Sequence, residues 1–335
     1  MHAASFYHET ADGTLQCDLC CHYCRIRPGR PGLCRVRKII DDRLFSMNFG
    51  LAVSVSADPV EKKPLFHFMP GSRTWSIGAP GCNFTCANCQ NWQISQSGPG
   101  MEKIPCTKPE TVVAEAIKAG CPSIACTFTE PTIFAEYALE IMKLARFAGL
   151  KTIWKSNGYM SPNCLEAVAP WLDAINIDLK SMDDAFYRTI CRARVGPVLD
   201  NLRFIAQSSI HLEVTTLIIP GHSDDPGMLA RLAGFIAGDM GTSVPWHVTS
   251  FYPEISWKME NSSETSSDLL ETCFAIGRKA GLSYIYAGTA HENTICPNCG
   301  QKIIERHRSL DGHNIVRFDV NGRCPTCNAV SSIKE

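Results

Sequence analysis

Cys82, Cys86 and Cys89 stand at C-x3-C-x2-C spacing, directly after a short apolar stretch at 74–77. A [4Fe-4S] cube takes four cysteine thiolates as its full protein complement, so a loop that offers three leaves one iron open to a substrate or cofactor. Gly78 and Gly81 permit backbone conformations closed to other residues, and Pro80 fixes a bend, so the chain can wrap a bulky inorganic core. A zinc site competes for three close thiols. Structural zinc asks for four donors in paired knuckles, and no fourth ligand lies nearby in the sequence.

Two further cysteine groups flank this loop. Cys17, Cys20, Cys24 and Cys34 form a four-thiolate set, with Pro-Gly turns at 28–29 and 31–32 folding Cys34 back. Four thiolates suit a closed tetrahedral zinc, which is the first expectation; an auxiliary iron-sulfur cluster is the alternative, because thiolates suit iron as well. Cys21 or His22 is a substitute ligand, although His22 reads more simply as a surface residue of a tight loop. At the other end, Cys296-x2-Cys299 and Cys324-x2-Cys327 are two knuckles separated by a β-like run at 315–318, the pattern of a structural zinc ribbon. Cys106, Cys121, Cys126, Cys164, Cys191 and Cys273 are scattered and read as small buried hydrophobes.

The elements that must position these groups alternate between strand and helix. β-rich runs fall at 123–126, 151–154, 173–177, 212–218, 246–250 and 283–287. Between them lie helical patterns such as Phe134, Tyr137, Ile141, Leu144 and Ala145, and Pro109, Pro162 and Pro226 stand where helices should start. With the strand before Cys82 this makes six or seven βα units, an α/β fold built as a parallel barrel or open barrel whose catalytic residues follow the strand C-termini. The expected organisation is an N-terminal Cys-rich region at 1–70, a barrel at 71–290 and a C-terminal ribbon at 291–335.

Composition agrees with a globular metalloprotein. The 335 residues are 45% hydrophobic and carry a net charge of -1, which gives no electrostatic footprint for nucleic acid or an anionic membrane. Residues 1–8 lack a signal-peptide pattern and no apolar run approaches a membrane span, so a cytoplasmic location is expected. Reducing pools there keep thiols free, and 18 cysteines are then better read as metal ligands than as disulfides.

Several polar residues follow the expected strands. Glu130 lies in Thr129-Glu130-Pro131, where its ordinary role would be that of an acid at a helix N-terminus. Lys155-Ser156-Asn157-Gly158 is a polar turn. Alternation puts Asn176, Asp178 and Lys180 on one strand face, an arrangement costly without partners. His247 either points inward or is a satisfied core histidine.

On these residues the chain resembles, nearly end to end, the radical S-adenosylmethionine (SAM) component of the AmmeMemoRadiSam system, related to pyruvate formate-lyase activating enzymes. The resemblance runs through Cys17-x2-Cys20, the approach at 58–67, Gly81 to Trp92, Thr129-Glu130-Pro131, Ser156 to Tyr159, Asp178 to Lys180, Pro245-Trp246-His247 and both terminal knuckles. Two positions depart from the pattern: Cys21 replaces a proline before His22, and Asn88 stands where an aromatic residue usually precedes the third cysteine, at the adenine contact. The resemblance implies a radical SAM partial (β/α)6-type barrel and a [4Fe-4S] cluster on Cys82, Cys86 and Cys89 that chelates and reductively cleaves SAM. It implies that Glu130 accepts from the SAM amine, that Lys180 pairs with its carboxylate and that Asn157 holds carboxylate or ribose, with Asp178 and His247 as further contacts. A low-potential electron donor such as flavodoxin or ferredoxin is implied too. Activases of this kind act on a backbone Cα-H, which implies a protein or peptide target that the metal elements at both ends could help dock; a small-molecule substrate stays open. The competing class is a non-catalytic adaptor whose ribbon binds nucleic acid or a partner protein. Lys302, Arg306, Arg308, Arg317 and Arg323 against Glu305, Asp311 and Asp319 make that ribbon only mildly basic.

Overall fold

The computed structural model describes residues 1–96, 101–309, 312–319 and 321–335. Seven parallel strands lie side by side in chain order: Arg73–Gly78, Ser123–Cys126, Lys151–Ser156, Ala174–Asp178, His211–Ile218, Trp246–Ser250 and Ile285–Ala287. Helices Pro109–Lys118, Ala135–Phe147, Pro162–Val168, Gly196–Ala206, Pro226–Phe235 and Ser267–Lys279 connect them. The three expected prolines are each the first residue of a helix. Ser161, Asp225 and Ser266 cap three helices by accepting from the amides of Cys164, Met228 and Leu269 at 3.1, 2.7 and 3.3 Å. The expected α/β barrel is present. An eighth strand, Ser54–Pro59, joins it antiparallel to Arg73–Gly78 and leaves the sheet with two edges, so the barrel is open. That hairpin was not legible in the sequence, because Ser54–Pro59 is mostly small and polar, with Val55 its one β-branched residue.

Alternation along the strands gives the barrel an outer apolar layer against the helices and a polar interior. Trp154, Ile175, Ile177, Val214 and Trp246 belong to the buried helix-facing core. On the opposite face, Ala125, Ile153 and Ala174 pack against Val60, Leu65 and Phe68 from the connection after the edge strand. That connection therefore plugs the barrel floor. Glu213, fully buried, fastens it by accepting from the amides of Phe66 (3.0 Å) and His67 (2.8 Å) and from the rings of His211 (2.9 Å) and His247 (2.6 Å). Burial works to raise the Glu213 pKa, and the two imidazoles pull it well below the ordinary range.

The two cysteine-rich ends occupy opposite ends of the barrel. The N-terminal 46 residues form two three-stranded sheets. They sit at the mouth, where the Cys21 amide donates to the Tyr159 carbonyl (3.1 Å), the Ser161 amide to the Leu19 carbonyl (3.2 Å) and His22 Nε2 to the Asn83 carbonyl (2.8 Å). The C-terminal sheet, Thr294–Ile295, Lys302–Ser309 and Gly312–Arg317, closes the floor. Arg306 donates to the Phe66 carbonyl (2.6 Å) and stacks 4.3 Å over the Phe66 ring, while His67 pairs with Tyr286 and Ser332. The ribbon therefore packs against the floor, at the end of the barrel away from the three-cysteine loop. Among the described residues no helix is long and apolar enough to cross a membrane.

Candidate active site

The Arg73–Gly78 strand delivers the three-cysteine loop to the mouth, and glycine is required on the way. A Cβ at Gly78 would lie 2.8 Å from the Thr127 carbonyl oxygen and 2.9 Å from Phe128 Cβ. At Gly81, with φ of +101°, it would lie 2.9 Å from Val36 and 3.0 Å from the Cys34 carbonyl oxygen. Thr129 and Asn91 tie the loop to the next strand end by donating to the carbonyls of Ala79 and Phe128, both at 2.6 Å. Phe128 is held at φ +64°, a conformation unfavourable for an aromatic residue, with the Lys63 ammonium 4.9 Å from its ring centre.

Cys82 accepts from the Phe84 amide at 3.4 Å, and Cys89 lies 3.4 Å from Ser95 Oγ. Burial raises the Cys82 and Cys89 thiols, and a hydrogen bond with the Cys191 thiol, followed by burial, raises Cys86. Lys180 acts against this at Cys86 and Cys89. Three thiols offered from one loop are the donor set of a four-iron cluster with one iron left open. Asn88 Oδ1, buried and without a partner, is a further polar atom in this loop. Cys191 is buried in the core as expected, and it does more than pack: the turn at 187–191 brings its thiol against Cys86, with the Thr85 amide donating to its carbonyl (3.2 Å). Cys106 departs the other way, since it is exposed.

The expected charged face is assembled. Asp178 Oδ2 receives Lys180 Nζ at 3.0 Å, and its other oxygen receives Lys155 Nζ, which also donates to Asn176 Oδ1 at 2.6 Å. Burial works to raise Asp178, but the two ammonium groups hold it at about 2. Burial works against the Lys180 charge too, and Asp178 with Cys86 and Cys191 keeps its pKa well above the ordinary value. Two ammonium groups against one carboxylate leave one positive charge in surplus. Lys155, read in the sequence only as part of a polar turn, is the member that reasoning missed; strand register alone sets it opposite Asn176. Asn176 also donates to the Pro64 carbonyl (2.7 Å) and so joins mouth to floor.

Glu130 and Asn157 are engaged with the protein itself. The buried Glu130 carboxylate accepts from Thr132 N (3.0 Å), Thr132 Oγ1 (2.6 Å), Ser156 Oγ (2.7 Å) and Asn157 N (2.7 Å). It thus caps the Pro131–Phe134 turn, the ordinary role considered for it. Burial raises its pKa against these donors. Asn157 Nδ2 donates to Asn83 Oδ1 (2.7 Å), locking the turn to the cysteine loop. His247 is placed lower, on Glu213 and edge-on to Phe66, and burial lowers its pKa. A later loop closes over the cysteines: the Lys258 amide donates to the Ala87 carbonyl (2.9 Å), and Trp257 stacks on Trp92 at 6.4 Å.

The two four-cysteine sets differ. Among the described residues, Cys296, Cys299, Cys324 and Cys327 are the one group whose ligand atoms all lie within 4.8 Å of one another, with sulfur pairs at 3.6 Å. Zn–S bonds of about 2.3 Å in a tetrahedron put sulfurs about 3.8 Å apart, so this set fits a single ion. Cys17, Cys20, Cys24 and Cys34 line one pocket, but no three of their sulfurs lie within 4.8 Å of one another as the tetrahedral site expected of them would require.

The sequence model of the Radical SAM superfamily matches residues 76–233. Over 98% of both chains, this chain is 36% identical to uncharacterized protein MJ0808 of Methanocaldococcus jannaschii. The pyruvate formate-lyase-activating enzyme of Listeria monocytogenes is 23% identical over 56% of this chain and 79% of its own. The isethionate sulfite-lyase activating enzyme of Desulfovibrio desulfuricans is 27% identical over 32% of this chain and 35% of its own length.

Proposed function

The chain belongs to the radical SAM superfamily, and from that premise we propose that it is an activase-like enzyme whose Cys82, Cys86 and Cys89 hold the SAM-binding [4Fe-4S] cluster. When bound, that cluster supplies the electron that cleaves SAM to methionine and a 5′-deoxyadenosyl radical for hydrogen abstraction. The observation that carries the reading is the meeting of three loop thiols with the Lys155, Asp178 and Lys180 set at the strand C-termini. Lys180 offers its ammonium to the SAM carboxylate, and Lys155 keeps Asp178 neutralised while it does so. Glu130, already holding four donors, fixes the Asn157 turn against the cysteine loop. The floor residues Glu213, His247, Phe66 and Arg306 close the barrel to water from below.

The activase relatives support a protein or peptide substrate at the mouth, with reduction by a flavodoxin- or ferredoxin-class donor. In the ribbon, which we assign a structural zinc, Arg306 is buried and Arg317 is paired with Asp319 and Glu335, so these two charges are spent within the protein. Anaerobically reconstituted protein should release 5′-deoxyadenosine with dithionite and SAM, measured by chromatography. Cleavage retained by the Cys82→Ala/Cys86→Ala/Cys89→Ala variant would remove the assignment.

A further inference from the structure

We propose that Cys17, Cys20, Cys24 and Cys34 hold a second [4Fe-4S] cluster and not a zinc ion. Three observations converge on it. First, the thiols line one closed pocket, yet no three of their sulfurs come within 4.8 Å of one another as the ribbon sulfurs do. Thiolates on the corners of a four-iron cube must stand farther apart than thiolates on one ion, and the loop cysteines Cys82, Cys86 and Cys89 share that wider spread.

Second, the same pocket is lined by two buried N–H donors that lack partners. Arg37 is 1% exposed and its Nε is unpaired; Asn83 is 4% exposed and its Nδ2 is unpaired. An unmet buried donor is costly, and a cluster offers thiolate and bridging-sulfide acceptors across a broad surface. The rest of the Arg37 guanidinium is fixed by Glu136 at 2.7 and 2.5 Å, so it cannot turn away to find water.

Third, backbone amides are already turned to the sulfurs, from Leu19 to Cys17, His22 to Cys20 and Val36 to Cys34. Amides two residues beyond a cysteine stabilise thiolate, and the active-site loop repeats the device from Phe84 to Cys82. Four thiolates complete the protein ligands of the cube, so this centre has no open iron for SAM. Its place is nonetheless beside the first: Asn83 lines the pocket and directly follows Cys82.

The test is metal content and Mössbauer spectroscopy of full-length protein produced anaerobically with iron-57. Wild type should carry about eight irons and one zinc, and the Cys82→Ala/Cys86→Ala/Cys89→Ala variant about four irons with a [4Fe-4S] spectrum. The Cys20→Ala/Cys34→Ala variant should lose about four irons and keep the zinc. Should that variant fail to fold, the triple variant decides alone. About four irons with two zincs in wild type, or no iron in the triple variant, would overturn the proposal. The inference rests on the N-terminal thiols and the donors that line their pocket. A protein that retains the second centre yet never cleaves SAM would count against the proposed activity and leave this site standing.

Discussion

The N-terminal and C-terminal cysteine sets each supply four thiols and a buried arginine, but they solve different problems. At the C-terminus two knuckles collapse until sulfurs are 3.6 Å apart, and Arg306 serves carbonyls of Glu292 and Phe66 beneath the barrel. At the N-terminus the thiols stay apart around a pocket, and Arg37 faces the Glu136 carboxylate of a barrel helix beside the mouth. The lesson is that equal ligand counts along the chain do not make equal sites. Sulfur separation and the donors left unpaired around it differ between the two ends.

The largest expected effect that tests this contrast is loss of the ribbon. Cys296→Ser should release one zinc and abolish hydrogen-exchange protection across the Lys302–Ser309 strand, because metal binding and folding are one event in so small a unit. Iron content should not change; a fall in iron would show that the two ends are coupled. Next, Arg37→Ala should cost about 3–5 kcal/mol in denaturant unfolding, since it leaves the Glu136 carboxylate buried without its charge partner. The Arg37→Met/Glu136→Met pair should recover much of that loss, and failure to recover would mean the guanidinium serves the thiols more than the carboxylate.

Between the two ends, Lys180→Ala should weaken SAM binding by about 1.5–3 kcal/mol, the range for hydrogen bonds to charged groups, with cluster content kept. A SAM titration that shows unchanged affinity would remove Lys180 from the site. The smallest effect, counted over the first pH unit below 6.5, concerns the floor under the ribbon. Burial pushes the His67 pKa down to about 3, so from an unfolded value near 6.5 downward the unfolded chain binds a proton that the folded one refuses. Stability is thus fully present above pH 6.5 and falls with pH toward 3, by at most about 1.4 kcal/mol per pH unit from this group. His67→Gln should flatten that slope in pH-dependent melting without moving the mouth, and an unchanged slope would place the acid sensitivity elsewhere.

What the sequence determined by itself was local. The spacing of Cys82, Cys86 and Cys89, the two ribbon knuckles, the βα alternation and the helix starts at Pro109, Pro162 and Pro226 are all set by neighbours a few residues apart. The tertiary structure decided what depends on distant segments. Register between strands brought Lys155 to Asn176 and Asp178, a turn more than 100 residues downstream set Cys191 against Cys86, and the plug at 60–68 brought the Phe66 and His67 amides to Glu213. It also put the ribbon on the floor, away from the entrance, and held the N-terminal thiols apart. These outcomes turn on a few ångströms of side-chain separation across long loops. Composition and periodicity fix which face a residue takes, but only the closed packing of the barrel fixes what stands opposite it.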